Sequence, residues 1–145
     1  MPSTERTEVF DVGIDAYFQA VKDFKSYPEF VKDVSNVRII KQYDDKIRAK
    51  FSIHVIKDFD YTLDLYYDPP KRLWWELVRG DIFKMNNGSW TLKRRGKHKT
   101  EVTYALEVET KIVAPKFLIR QLAASSLPSM MRAFCERAKE LEAEA

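Results

Sequence analysis

Residues 114–145 read APKFLIRQLAASSLPSMMRAFCERAKELEAEA, and this stretch decides the fold because the rest of the chain must supply the surface on which it packs. Apolar side chains recur in it at steps of three and four residues, which places them on one face of an α-helix. This apolar stripe consists of Ile119, Ala123, Leu127, Met130, Met131, Phe134, Ala138 and Leu141. Pro115 suits the first turn of the helix, where a missing N–H is harmless. Such a helix, about 25 residues and about 40 Å long, must bury its stripe against another apolar surface.

The chain upstream shows the alternation of apolar and polar residues that is typical of β-strands. The clearest case is residues 47–55, where Ile47, Ala49, Phe51, Ile53 and Val55 alternate with polar side chains. The same pattern predicts strands over residues 8–12, 37–43, 61–67, 73–78 and 101–109. A further strand is predicted near residues 83–92, with Asn87-Gly88 as either a hairpin turn or a bulge. Each of these strands has one dry and one wet side.

The connections between the predicted strands favour an antiparallel sheet, because a parallel return needs a dozen or more residues. Two short helices are predicted between the first two strands, one capped by Asp15 and one over residues 26–31 with Pro28 in its first turn. Helices this short need a surface on which to dock. The sequence therefore predicts an α+β fold, with helices packed against one face of a twisted sheet.

Composition limits the class of protein without naming it. Lys and Arg total 25 and Asp and Glu total 22, a formal net charge of +3 that permits an anionic partner but does not demand one. The single cysteine, Cys135, cannot form an internal disulfide and is expected to be a buried thiol. Residues 1–6 lack the apolar core of a signal peptide. We expect one domain over residues 1–145, with an ordered core at about residues 5–141, located in the cytoplasm.

Five segments, in this order, resemble the START-like (helix-grip) superfamily in its polyketide cyclase and coenzyme Q-binding branch. They are YPEF within residues 23–31, DPPKRL at 68–73, the glycine- and tryptophan-containing stretch 80–90 ending in NGSW, TEVTY at 100–104, and LPSMM at 127–131. The likeness spans roughly residues 5–141. It implies a seven-stranded antiparallel sheet curled around the C-terminal helix. It also implies a cavity between them for a hydrophobic ligand such as a lipid, a quinone or a polyketide-like aromatic.

The predicted ligand site is the inward face of the sheet together with the facing side of the helix. Its candidate lining residues are Phe51, Ile53, Val55, Leu65, Trp75, Leu77, Arg79, Met85, Trp90, Tyr104, Leu127, Met130, Met131 and Phe134. Leu106 shares their inward parity. Periodicity alone is equally consistent with a filled core. The adjacent methionines suit an irregular or promiscuous surface, and they also suit plain gap filling.

Two residues of special chemistry have both a functional and a structural interpretation. Pro128 removes a helix hydrogen bond. Together with the small residues 123–126, it predicts either a kinked gate over the cavity or a bend that follows the sheet. Arg79 has the parity of Leu73, Trp75 and Leu77, so its guanidinium could hold a carboxylate or an enolate inside, unless the strand twists away before Gly80.

The sequence contains no recognisable catalytic set, metal site or cofactor motif, so we predict none. Neither His54 nor His98 has a second ligand at metal-binding spacing, and Cys135 has no paired base in sequence. We therefore favour a non-enzymatic carrier of a hydrophobic small molecule. The alternative is a polyketide aromatase/cyclase of cyclase or dehydratase type, with Arg79 or Tyr104 as the first candidates for its polar groups.

A third class of function is a ribosome- or RNA-associated binding module, as toxin-like relatives within the same branch suggest. The densest positive segment, residues 93–99, could contact RNA or an anionic membrane surface. It lacks interleaved aromatic residues for base stacking, and a solvated hairpin tip is the plainer interpretation. Neither the identity of the ligand nor an oligomeric state follows from the sequence.

Overall fold

The computed structural model describes residues 3–54, 58–111 and 127–144. Its strands are β1 (Ser3–Phe10), β2 (Val34–Gln42), β3 (Lys46–His54), β4 (Asp58–Asp68), β5 (Arg72–Gly80), β6 (Phe83–Gly96) and β7 (Lys99–Thr110). Its helices are α1 (Ile14–Lys22), a turn of 3₁₀ helix (Phe24–Ser26), α2 (Tyr27–Phe30) and α3 (Leu127–Glu144). Within these ranges no helix is both long and apolar enough to cross a membrane.

The seven strands form one antiparallel sheet in the order β1-β7-β6-β5-β4-β3-β2. Strands β2 to β7 follow each other as a meander, because their connections are too short for any other arrangement. The first strand pairs with the last, so α1 and α2 carry the chain from one edge of the sheet to the other. The predicted α+β helix-grip architecture is confirmed.

The dry face of the sheet follows the alternation expected from the sequence. In β3, Ile47, Ala49, Phe51 and Ile53 are buried, while the intervening Arg48 is half-exposed. On the wet side, the Asp64 carboxylate accepts hydrogen bonds from Arg48 (Nε to Oδ1, 2.8 Å) and from Lys46 (Nζ to Oδ2, 3.2 Å). The hydrogen bond from Arg48 is the main cause that holds the pKa of Asp64 below its usual range.

Helix α3 packs along α1 and across the concave face of the sheet. Its buried side consists of Leu127, Met131, Phe134, Cys135 and Ala138. The Tyr17 hydroxyl donates a hydrogen bond to the Met131 carbonyl (3.1 Å), which ties α1 to α3. The backbone N–H of Gly13 donates to the Glu142 carboxylate (2.9 Å) and so secures the end of α3. The predicted start of this helix, with Pro115, Ile119 and Ala123, lies outside the described residues, and so do the small residues of the proposed gate.

The structure corrects several local predictions. Strand β1 covers Ser3–Phe10 instead of residues 8–12. Helix α1 is capped by Gly13, with Asp15 inside the first turn and no side-chain cap. Asn87 and Gly88 form neither a turn nor a bulge, since β6 runs through them and pairs them with Glu107 and Leu106 of β7.

Glycine is required at position 88 by a close approach of another side chain. A Cβ atom there would lie 2.7 Å from Cε2 of Trp75 and 2.8 Å from the Ala105 carbonyl oxygen. Real Cβ atoms do not come this close to other heavy atoms. The missing side chain therefore makes room for the Trp75 indole on the sheet.

Candidate ligand cavity

A cavity of about 270 Å³ lies between the concave face of the sheet and α3. Its floor comes from β3 to β7, and α2 and α3 supply the walls. Nine of the predicted lining residues meet here: Phe51, Ile53, Leu65, Trp75, Trp90, Tyr104, Leu127, Met130 and Phe134. The side chains between the sheet and α3 leave this space unfilled.

Four predicted residues do not line the cavity. Arg79 is exposed because the pairing of β5 with β4 has a register step. Leu77 pairs with Leu63 and Arg79 pairs with the next residue of β4, so Val78 has no partner in β4 and the alternation ends there. Leu77 is half-buried and packs against the core beside the cavity. A fifth predicted residue, Val55, lies outside the described residues.

Met85 and Met131 are displaced for two different reasons. The pairing of β6 with β7 steps between Phe83 and Met85, so Phe83 and Asn86 face inward and Met85 is only half-buried. Met131 is completely buried in the core but belongs to the side of α3 that meets α1. Consecutive helical residues point in directions about 100° apart, so only Met130 of the pair reaches the cavity.

Sequence reasoning missed several lining residues. They are Tyr27, Phe30, Val31, Tyr61, Leu63, Leu73, Phe83, Asn86, Val108 and Ala133, together with polar residues at the α2–β2 connection. Tyr61 and Leu63 share the parity of Leu65, so extending that strand pattern would have found them. Tyr27 and Phe30 lie in the YPEF segment, which pointed to the helix but not to its contact with the cavity.

Interlocking aromatic rings form the walls. The Trp90 ring lies 4.8 Å from Tyr104 and 5.0 Å from Phe134, both edge to face. The Phe134 ring is also 5.1 Å from that of Tyr27 and 5.0 Å from that of Phe30. Each such contact adds about 0.5–1.5 kcal/mol beyond the area it buries. The cavity is therefore bounded by side chains that are held in place before a ligand arrives.

A few polar groups are set into these walls. The Trp75 indole N–H donates a hydrogen bond to Oδ1 of Asn86 (3.1 Å). The Tyr27 hydroxyl donates to the Val21 carbonyl. The hydroxyls of Tyr61 and Tyr104 make no hydrogen bond to any described residue. Burial raises the pKa of both phenols well above the usual value, so both stay protonated at neutral pH.

The other chemically reactive side chains lie away from the cavity. His54 contacts Asp58 (2.7 Å) and His98 contacts Glu142 (3.4 Å), both at exposed positions. Burial raises the pKa of the Cys135 thiol, which makes it a poor nucleophile. Over residues 3–54, 58–111 and 127–144, no three His, Cys, Asp or Glu side chains are placed to hold a metal ion.

The basic segment 93–99 forms the tip of the β6–β7 hairpin. Arg95 pairs with Glu101 (2.6 Å), and Lys99 lies 3.8 Å from Asp11. These carboxylates offset part of the positive charge. Lys93, Arg94 and Lys97 are exposed, and the tip lies outside the cavity lining.

The helix-grip sheet, the terminal helix and the apolar cavity between them define the START-like class of fold. Residues 12–135 match the family described as "Polyketide cyclase / dehydrase and lipid transport", and the chain belongs to this family. The description of this family covers polyketide cyclases, dehydrases and lipid transport.

Individual relatives are distant in sequence. A curated relative from Pseudomonas aeruginosa, "Ribosome association toxin RatA", is 24% identical over 138 residues, covering 94% of this chain and 95% of the relative. A START superfamily protein from Mycobacterium smegmatis superposes with a TM-score of 0.83 at 19% identity, covering 96% of this chain and 98% of that one. The Zhui aromatase/cyclase from Streptomyces sp. R1128 gives a TM-score of 0.82 at 13% identity, covering 95% and 93%. At these identities the two superpositions show the fold alone.

Proposed function

We propose that this protein binds a hydrophobic small molecule, such as a lipid, a quinone or a polyketide-like aromatic, in the cavity between the sheet and α3. The observation that carries the proposal is an aromatic-walled space of about 270 Å³ inside a folded core. Protein interiors are normally packed as densely as organic crystals, with few voids larger than a water molecule. This space is many times the roughly 10–15 Å³ that a single buried water needs.

The walls favour an apolar occupant over water. A buried water typically needs about three hydrogen bonds, and most of the lining side chains are aliphatic or aromatic. Transfer of apolar surface from water gains about 25 cal/mol per Å². Because the rings are already packed against each other, a ligand orders few side chains on binding, which reduces the entropic cost.

Fluorescence titration with N-phenyl-1-naphthylamine, a neutral apolar probe, tests the proposal. The delipidated protein should bind one probe per chain with enhanced probe fluorescence, and lipids, quinones or aromatic polyketides should displace it. Trp75 and Trp90, which line the cavity, provide a second signal by energy transfer to the probe. Non-saturable enhancement, or a signal that competitors leave unchanged, would reject the proposal.

A cyclase activity on poly-β-ketone chains is a narrower version of the same proposal. Arg79 is exposed and outside the cavity, which removes one of its two first candidates. Tyr104 lines the cavity. A cyclase would be supported if Tyr104→Phe no longer turns over a poly-β-ketone but still binds the fluorescent probe. Unchanged cyclisation in Tyr104→Phe would exclude Tyr104 from the reaction.

Ribosome association is a second candidate function, supported by the relative whose name includes it and which this chain matches over 94% of its length. Its surface would be the basic tip, where Lys93 and Arg94 are exposed. Sedimentation with ribosomes at increasing salt tests it. If the double variant Lys93→Glu, Arg94→Glu no longer co-sediments with ribosomes, the basic tip is supported as the binding surface. Binding that resists both salt and this charge reversal would refute the assignment of the tip as that surface.

A further inference from the structure

Asn86 is a polar side chain in a place where the strand pattern predicts an apolar one. It is only 6% exposed, and it faces inward because of the register step in β6. An amide in an apolar wall is costly unless its donors and acceptors find partners. Half of that requirement is met inside the protein, since Oδ1 accepts the hydrogen bond from the Trp75 indole (3.1 Å).

That hydrogen bond fixes which end of the amide faces the cavity. An indole N–H is only a donor, so its partner must be the amide oxygen and not the nitrogen. The NH₂ group of Asn86 is left with no hydrogen bond to any described residue. Among the described residues, every fully buried side-chain nitrogen or oxygen has a hydrogen-bond partner. The unpaired NH₂ group of Asn86 is therefore not fully buried, and it borders the cavity that Asn86 lines.

The Tyr104 hydroxyl is a second donor in the cavity wall. The Tyr104 ring lies 5.7 Å from that of Trp75, so the phenol and the amide flank the same indole. Tyr104 is 8% exposed and lines the cavity. Burial raises the pKa of Tyr104, so the phenol keeps its proton at neutral pH and can donate a hydrogen bond. With the Tyr61 hydroxyl, which also lines the cavity and has no hydrogen bond to a described residue, these donors border a space whose described walls are mostly apolar.

The described lining residues supply no excess of positive charge for an anion. Among the described lining residues the groups charged at neutral pH are Lys32 and Asp33, which are adjacent and opposite in sign at the α2–β2 connection. Lys32 is exposed. A carboxylate or phosphate in the cavity would lose its hydration without gaining a net counter-charge from the described lining.

We infer that the ligand is an uncharged hydrophobic molecule with a carbonyl-type oxygen, which accepts hydrogen bonds from the Asn86 amide and the Tyr104 hydroxyl. This inference rests on the proposed function and narrows it. A ketone oxygen has two lone pairs, the number needed to accept a hydrogen bond from each of these two donors. A hydrocarbon leaves both donors unpaired, and a fatty acid or phospholipid brings a charge that the described lining does not neutralise.

Three naphthalenes of similar size test this inference in the full-length protein. They are 2-isopropylnaphthalene, which has no acceptor, 2-acetylnaphthalene, which has one ketone oxygen, and 2-naphthoate, which is anionic at pH 8. Binding is measured by displacement of N-phenyl-1-naphthylamine for the native protein and for Asn86→Leu and Tyr104→Phe. Asn87→Leu is the matched control for the first variant, because the next residue of β6 is exposed on the other face.

In Asn86→Leu and in Tyr104→Phe, the Kd of the ketone should rise about two- to tenfold, as expected for one lost hydrogen bond. The Kd of the hydrocarbon should change less than that of the ketone. Asn87→Leu should leave both constants unchanged. The naphthoate should bind the native protein about tenfold or more weakly than the ketone, because it must be desolvated without a counter-charge.

Two results would overturn the inference while leaving the proposed function intact. The first is equal loss of ketone and hydrocarbon binding in both cavity variants, or no loss of either. The second is tighter binding of the naphthoate than of the ketone. Failure of all three compounds and of the fluorescent probe to bind would reject both proposals. If Asn86→Leu does not fold because the Trp75 N–H loses its partner, Tyr104→Phe decides alone, since it removes only one oxygen atom.

Discussion

Filling the cavity from the helix side should abolish ligand binding without unfolding the protein. Ala133 lies on α3 and lines the cavity. The substitution Ala133→Phe adds a phenyl ring, which occupies roughly 100 Å³ at protein packing density. That is more than a third of the 270 Å³ available. The added ring therefore occupies space that the three-ring probe needs.

We expect the affinity of Ala133→Phe for N-phenyl-1-naphthylamine to fall about tenfold or more, which corresponds to about 1.4 kcal/mol or more. The free energy of unfolding should change by less than about 1.5 kcal/mol, since the ring enters existing space and does not force the core apart. The assay is probe fluorescence at equilibrium, together with urea denaturation of the same preparation.

Ala143→Phe is the matched control, because residue 143 is exposed near the end of α3 and is not part of the cavity lining. It should bind the probe as the native protein does. Native-like probe affinity in Ala133→Phe, with its fold intact, would refute the claim that the ligand occupies this space. Equal loss of affinity in both variants would point to binding elsewhere on the helix.

Three further predictions concern the packing and charges around the cavity. Gly88→Ala should lower the free energy of unfolding by about 1–3 kcal/mol or more and alter the near-ultraviolet circular dichroism of Trp75, because the added Cβ overlaps the indole. Gly96→Ala is the control and should be close to neutral, since a Cβ there meets its nearest described neighbour at an ordinary 3.6 Å. Equal effects of the two substitutions would contradict the close approach of Trp75 to Gly88. Phe134 is only 1% exposed, so Phe134→Ala should lower the free energy of unfolding, measured by urea denaturation, by about 3–5 kcal/mol. A loss under about 1 kcal/mol would show that this ring does not hold α3 to the sheet. Asp64→Asn should be less stable than the native protein at pH 7, and the difference should vanish as the pH falls below about 4. The reason is that the lowered pKa of Asp64 contributes stability only while the carboxylate is ionised. A difference in denaturation midpoints that does not depend on pH would contradict a contribution from the ionised carboxylate.

The alternation of apolar and polar residues predicted which side chains line the cavity where neighbouring strands pair in continuous register. Strand β3 pairs with β4 in continuous register, and both Phe51 and Ile53 line the cavity as expected. The sheet order around β1 could not be obtained in this way, because alternation assigns faces but not neighbours. The family resemblance implied seven strands curled around the helix, and the structure places β1 beside β7.

The misplaced residues follow register steps that leave no mark in the local pattern. Phe83 and Met85 alternate like any strand pair, yet the step between them turns Asn86 inward. Arg79 continues the parity of Leu77, and an inserted Val78 turns it outward. Which residue is inserted depends on how two strands with different curvature pair, and this is decided by tertiary packing.

Periodicity could not show the cavity, which only the family resemblance implied. A stripe of apolar residues has the same pattern whether the side chains meet or leave a gap. The space of about 270 Å³ depends on the distance between α3 and the sheet, which Phe134 and its aromatic neighbours help to set. The donor arrangement around Asn86 likewise arises from one side-chain hydrogen bond that no motif encodes.

A crystal structure of the protein soaked with N-phenyl-1-naphthylamine tests the central claim most directly. We expect the probe between α3 and the sheet, in contact with Trp90 and Tyr104 and with the backbone of the helix unmoved. Density for the probe only on the outer surface, or an interior closed by side chains with no room for it, would contradict the assignment of this fold as a carrier of hydrophobic molecules.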